Sequence, residues 1–117
     1  MNDGQTIETL KNRAEFVTLN RKGRKWSAHG LVLQAIKNDL GKTRIGYTVT
    51  KKTEKSAVKR NRIKRRLRAV ASEIITAHAV EGHDYVLIGI QASAIRPYTA
   101  LCNDLKWCLE KLGCLKP

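Results

Sequence analysis

The eighteen residues from Lys51 to Arg68 carry ten basic side chains and one acid, Glu54. A segment with that charge cannot enter a core, so the chain must fold in a way that leaves one side of it in water or against an anion. It is not a disordered tail. The run is internal, contains no Pro or Gly, and merges into apolar spacing. Ile63, Leu67, Val70 and Ile74 follow one another at 4-3-4 spacing, which makes one stripe of an α-helix. At about 100° per residue, Asn61, Arg65 and Arg68 point away from that stripe, with Arg62 and Lys64 on its shoulders. Lys59 and Arg66 lie nearer the stripe and are expected to snorkel beside it. Ser56 is the N-cap candidate. The i,i+4 pairs Arg60/Lys64, Arg62/Arg66 and Lys64/Arg68 each cost the helix a few tenths of a kcal/mol, a repulsion that a polyanion would remove.

The whole chain has 23 Lys+Arg against 10 Asp+Glu, a net +13 over 117 residues. The segment's own balance is +9, so the rest is close to neutral apart from a smaller knot at Arg21, Lys22, Arg24 and Lys25. A nucleic acid is the first partner such a field implies, ahead of an anionic membrane surface. The length suits one domain, 1–117, with a folded part from Leu10 to Leu112 and short tails. There is no apolar run of about 18 residues for a membrane span. The start, MNDGQTIETLKNRAEF, lacks the basic and apolar regions of a signal peptide, and its Asp3, Glu8 and Glu15 argue against a transit peptide. Cys102, Cys108 and Cys114 fit neither a disulfide framework nor a metal motif, so free thiols in a reducing cytoplasm are expected. His29, His78 and His83 have no metal spacing, and no phosphate-binding or nucleophile motif occurs. Neither catalytic residues nor a bound metal are expected in this chain. Arg and Lys almost throughout the helix, with one Asn, favour phosphate contact and recognition of folded RNA over base readout of DNA.

Asn12 and Glu15 form a capping-box pattern opening a helix with Ala14, Phe16, Val17 and Leu19, which ends near Gly23. Residues 29–36 read as a strand, 38–42 as a turn and 44–50 as an alternating strand, together an antiparallel hairpin. The basic helix then runs to around Ala79–Gly82. Tyr85–Ile90 is apolar on both faces and suits a central strand. After Pro97 comes a helix from Thr99 to Leu112, with Leu101, Leu105, Cys108 and Leu112 as its stripe and Gly113 at its end. The order α-β-β-α-β-α implies an α+β fold, a small sandwich of helices on a sheet.

At AVKRNRIKRRLR, Ala57–Arg68, the chain resembles the protein subunit family of bacterial ribonuclease P. LKNRAEF at Leu10–Phe16, RIGYTVTKK at Arg44–Lys52 and DYVLIGI at Asp84–Ile90 follow the same family in order, so the likeness covers Leu10 to Leu112. The resemblance implies the order α-β-β-(β)-α-β-α, with a sheet of about four strands and a left-handed β-α-β crossover. It implies an endonuclease particle that removes the 5′ leader of precursor tRNA, with catalysis and Mg held by the RNA subunit and no cofactor on the protein. The partners would be ribonuclease P RNA and precursor tRNA, with neither membrane nor DNA. Carried over by position, the RNA contacts are Lys51, Lys52, Arg60, Asn61, Arg62, Lys64, Arg65 and Arg68. The leader cleft would hold Phe16, Val32, Gln34, Gly89 and Gln91, although Phe16, Val32 and Gly89 also suit plain packing. The chain departs from the family at Asn20, Gln34 and Gln91, and in lacking a glycine within Thr53-Glu54-Lys55-Ser56. A non-catalytic structural or ribosome-associated RNA-binding protein of the same fold is the alternative.

Overall fold

Short alternating runs of β-branched and aromatic residues build a sheet, and the two apolar stripes read from the sequence lay helices against it. The structure, a computed structural model, describes residues 7–9 and 23–117. Its strands are β1 (Ile7–Thr9), β2 (Arg24–Ser27), β3 (Leu31–Lys37), β4 (Thr43–Thr48) and β5 (His83–Gly89). The helices are α1 (Ala57–His78) and α2 (Tyr98–Lys111), with a short 3-10 turn at Gln91–Ala94 between β5 and α2. Four strands give the expected α+β sheet, and three-residue β1 adds a fifth at one edge, in the order β1-β4-β5-β3-β2. The anticipated first helix, with Asn12, Phe16 and Asn20, lies outside the described residues.

β3 and β4 do not form the expected hairpin. β5 lies between them, antiparallel to β3 and parallel to β4, and the hairpin is instead β2–β3. The turn at 38–42 is nevertheless present, with Asp39 at φ 61° and Gly41 at φ 70°. It spans the end of β5, for Asn38 donates from its backbone N–H to the Gly82 carbonyl at 2.9 Å and from Nδ2 to Asp84 Oδ1 at 2.8 Å. The cause is the composition of β5. A strand apolar on both faces loses least when paired on both edges and covered on both sides, which only the middle of the sheet provides.

One face of the sheet carries Leu31, Leu33, Tyr85 and Leu87, all 0 % exposed, against the α1 stripe. Ile63, Leu67, Val70 and Ile74 are buried as the spacing predicts, joined by Ala71 and Ile75. The α2 stripe of Leu101, Leu105, Cys108 and Leu112 is buried beside it, and Gly113 follows at φ 73°. Val86, with Ile36 and Ile88 packed on it, forms a separate cluster on the opposite face. Among the described residues no helix is long and apolar enough to cross a membrane.

Candidate nucleic-acid interface

The basic segment begins where β4 ends. Parallel pairing of β4 with β5 brings their C-terminal ends to the same side of the sheet, and α1 starts there. The intervening turn closes without a glycine. The Thr50 carbonyl accepts from the backbone N–H groups of Thr53 and Glu54, each at 3.1 Å. Glu54 Oε2 accepts from the Ser56 N–H at 3.1 Å. Arg60 reaches back, its Nη1 donating at 2.8 Å to the carbonyls of Glu54 and Lys55. Among the described residues Asp39 is the one non-glycine with positive φ, so no left-handed residue is needed at 53–56. Ser56 is the N-cap, with Oγ accepting from the Lys59 N–H at 3.2 Å.

From that fixed start, α1 sorts the sequence-derived contacts into two groups. Lys51, Lys52, Asn61, Arg62, Arg65 and Arg68 are exposed, and Lys64 is half-buried. Arg60 is different, because its guanidinium is already engaged in holding the turn. Arg66 is also engaged: Nη1 donates to the Ser93 carbonyl at 2.6 Å, and Nη2 to the Arg96 carbonyl. That fits its expected place beside the stripe, whereas Lys59 is exposed. Arg68 lies over the Tyr47 ring, 5.2 Å from its centroid. Burial raises the Tyr47 phenol above its ordinary pKa, and the Arg68 charge partly opposes that rise. Among the described residues the ion pairs are Arg44–Asp84 and Arg96–Asp104, and neither involves the exposed cations of this face.

The proposed cleft residues are not all brought together. Val32 and Gln34 project from the sheet face opposite the helices, where they pair with Ile88 and Val86 of β5. Gln34 is buried and Val32 half-buried. Gly89 faces the other way: a Cβ there would meet Ile63 Cγ2 and Val49 Cγ2, each at 2.7 Å. Its small size serves the close approach of α1 to the sheet. Gln91 is exposed, and its Nε2 donates to the Thr53 carbonyl at 3.2 Å, so it joins the end of β5 to the turn carrying Lys51 and Lys52. Phe16 lies outside the described residues.

Sequence reasoning missed Glu54, Tyr47 and the partners of Arg66. The first was signalled by being the one acid in the basic run; the second, by facing the helix in the β4 alternation. The carbonyls of Ser93 and Arg96 had no signal, since they are brought to α1 only by the 3-10 turn. The three cysteines are free and buried. Burial pushes the Cys108 thiol up to about 11, with Asp104 adding to the rise, and raises Cys102 and Cys114 as well. Such thiols are poor nucleophiles.

Known proteins resemble this chain in sequence and fold. The ribonuclease P family model matches residues 5–113. A relative named ribonuclease P protein component, from Paramagnetospirillum magneticum, is 43 % identical over 115 residues, covering 94 % of this chain and 86 % of the relative. One of the same name from Gluconacetobacter diazotrophicus is 45 % identical over 105 residues, covering 89 % of this chain and 90 % of its own. Among solved structures, the Staphylococcus aureus RNase P protein superposes with a TM-score of 0.76 at 25 % identity, over 92 % of this chain and 97 % of that one. The RNase P protein from Thermotoga maritima has the same fold, with a TM-score of 0.72 over 90 % of this chain and 94 % of that one at 23 % identity.

Proposed function

Because the chain belongs to the ribonuclease P protein family, we propose that it binds the catalytic RNA through α1 and the preceding turn and holds the 5′ leader of precursor tRNA nearby. The observation that carries this is the row Lys51, Lys52, Asn61, Arg62, Arg65 and Arg68, exposed on a turn and helix whose start is locked by Ser56, Glu54 and Arg60. A basic face with a locked start suits phosphates in a fixed array better than a flexible tail does. Arg62, Arg65 and Arg68 would contact RNA phosphates, and Asn61 would donate and accept at a sugar or base edge.

The leader would run across the sheet face that carries half-buried Val32 and buried Gln34, with Gln91 at its end nearest the turn. Gly89 helps by letting α1 approach the sheet, and Phe16 would offer a stacking surface. In this reading the cut that yields the mature tRNA 5′ end is made by the RNA subunit with Mg, in the cytoplasm. This chain's residues bind and orient.

Mixing the chain with bacterial ribonuclease P RNA at low magnesium should restore cleavage of precursor tRNA. The gain should grow as the substrate leader is lengthened from nothing to several nucleotides. A folded sample that gives no rescue defeats the proposal. Rescue indifferent to leader length would leave RNA binding but remove the leader role, as expected of a structural RNA-binding protein.

A further inference from the structure

Both tryptophans of the chain meet at the β2 edge of the sheet, away from the residues of the α1 interface. Trp26 on β2 and Trp107 on α2 pack edge to face, with ring centroids 5.7 Å apart and planes at 80°. Trp26 is 37 % exposed and Trp107 41 %, so neither is simply a core residue. Cys108 Sγ donates to the Trp26 carbonyl at 3.5 Å, which joins β2 to α2. Trp107 also walls an open cavity of about 210 Å³, completed by Ser27, Ala28 and His29 of the β2–β3 turn.

Two cations flank the pair. Lys111 Nζ stands 5.9 Å from the centroid of the Trp107 ring. Arg24, two residues before Trp26 and so on the same face of β2, is exposed with Nη2 4.0 Å from Cys114 Sγ. Lys25 alternates to the other face of β2, opposite Gln34, and the acids near Trp107 in sequence are the exposed Glu110 and the buried Asp104, which is paired with Arg96. Exposed indoles flanked by basic side chains are the elements from which single-stranded nucleic-acid sites are made: aromatic faces stack bases and cations follow the backbone. A protein partner would fit less well, because interface cores are depleted of charge, whereas this patch keeps its cations next to its rings.

We propose that Trp26 and Trp107 form a second RNA site that stacks bases of an unpaired RNA segment, with Arg24 and Lys111 on its phosphates. The site gives a role to Arg24 of the smaller basic knot, which the α1 face leaves unused. It stands apart from the reading of α1 and does not depend on it.

The two tryptophans make indole fluorescence a direct report on this site. Full-length chain would be titrated with a short single-stranded oligoadenylate and, separately, with inorganic polyphosphate at equal phosphate concentration. The oligoadenylate should quench the emission, and polyphosphate, which has no bases, should leave it unchanged. Trp107→Ala should weaken the binding read by Trp26 about 5- to 150-fold, the range for loss of one stacked base, and Trp107→Phe should recover most of it. If Trp107→Ala fails to fold by circular dichroism, the exposed pair Arg24→Ala/Lys111→Ala supplies the same reading. It should weaken quenching several-fold without altering the spectrum of the RNA-free protein. Absence of quenching, equal quenching by polyphosphate, or unchanged affinity in the folded variants overturns the proposal. So does emission that shifts with protein concentration alone, which would mean that a second copy covers the rings.

Discussion

Arg60 and Arg65 are the same side chain on the same helix, and the structure gives them different work. Arg65 is exposed, while Arg60 holds the carbonyls of Glu54 and Lys55 at 2.8 Å. Arg65→Ala should therefore weaken RNA binding and flatten the slope of log K against log salt by up to about 0.9, with the melting temperature no lower. Arg60→Ala should lose about 1–2 kcal/mol of folding stability as well, since bonds from a charged donor to otherwise unpaired carbonyls are removed. Salt-dependent binding and urea unfolding on both variants check this; equal stability of the two would disprove the division. The difference was not legible in the sequence. A helical wheel shows which side a cation occupies, but the bend of chain preceding the helix decides whether that cation is already engaged. Gly89 teaches the same lesson from the other direction. Its position in a cleft motif suggested contact with a ligand, yet Ile63 and Val49 occupy the space its side chain would need.

Elements whose shape depends on neighbours in sequence were legible, and those that depend on distant pairing were not. The basic helix follows from the stripe Ile63, Leu67, Val70, Ile74 and from Ser56, and the structure gives Ala57–His78 with Ser56 as its cap. The last helix shifts by one residue, to Tyr98–Lys111. The hairpin expected of β3 and β4 does not form, because β5, 35 residues after β4 by the gap from Thr48 to His83, takes the place between them. The doubly apolar pattern of β5 pointed to the centre of the sheet; combined with the turn at 38–42, it could have excluded the hairpin. At this scale the cap is the sharpest handle. Ser56→Ala removes the acceptor for the Lys59 N–H at the end of α1 where the exposed basic face begins. It should cost about 0.5–2 kcal/mol, seen as a lower urea midpoint at unchanged slope. RNA affinity should fall less than for Arg65→Ala, because no phosphate contact is deleted; a larger fall would place the hydroxyl on the RNA.

Across the whole molecule, charge and buried thiols make stability depend on the solution in two ways. Cys108, ordinarily at 9.0, is raised to about 11 by burial, and Cys102 and Cys114 move in the same direction. Above pH 9 the unfolded chain releases these protons while the folded chain keeps them, so unfolding is favoured as pH rises. The contribution is intact below about 9 and is lost on approach to about 11, so the melting temperature should fall across that window. A flat profile there would show the thiols to be in contact with water. The second dependence comes from the +13 charge, nine units of which belong to Lys51–Arg68. Arg60 and Arg66 are partly relieved by the carbonyls they hold, but the exposed Arg62, Arg65 and Arg68 repel one another on the native surface. General salt screens that repulsion equally for all anions, whereas a multivalent oxyanion can bridge neighbouring guanidiniums and so bind the native face in preference to the unfolded chain. Linkage then requires the melting temperature to rise with sulfate beyond its rise with chloride at the same ionic strength, by about 2.7 kcal/mol of stability when sulfate reaches a hundred times its dissociation constant. Arg62→Ala/Arg65→Ala should lose most of that sulfate-specific gain while retaining the chloride response. An equal response to the two anions in the unmodified chain would mean that the cations act as a diffuse field, without the fixed spacing that an RNA backbone would meet on α1.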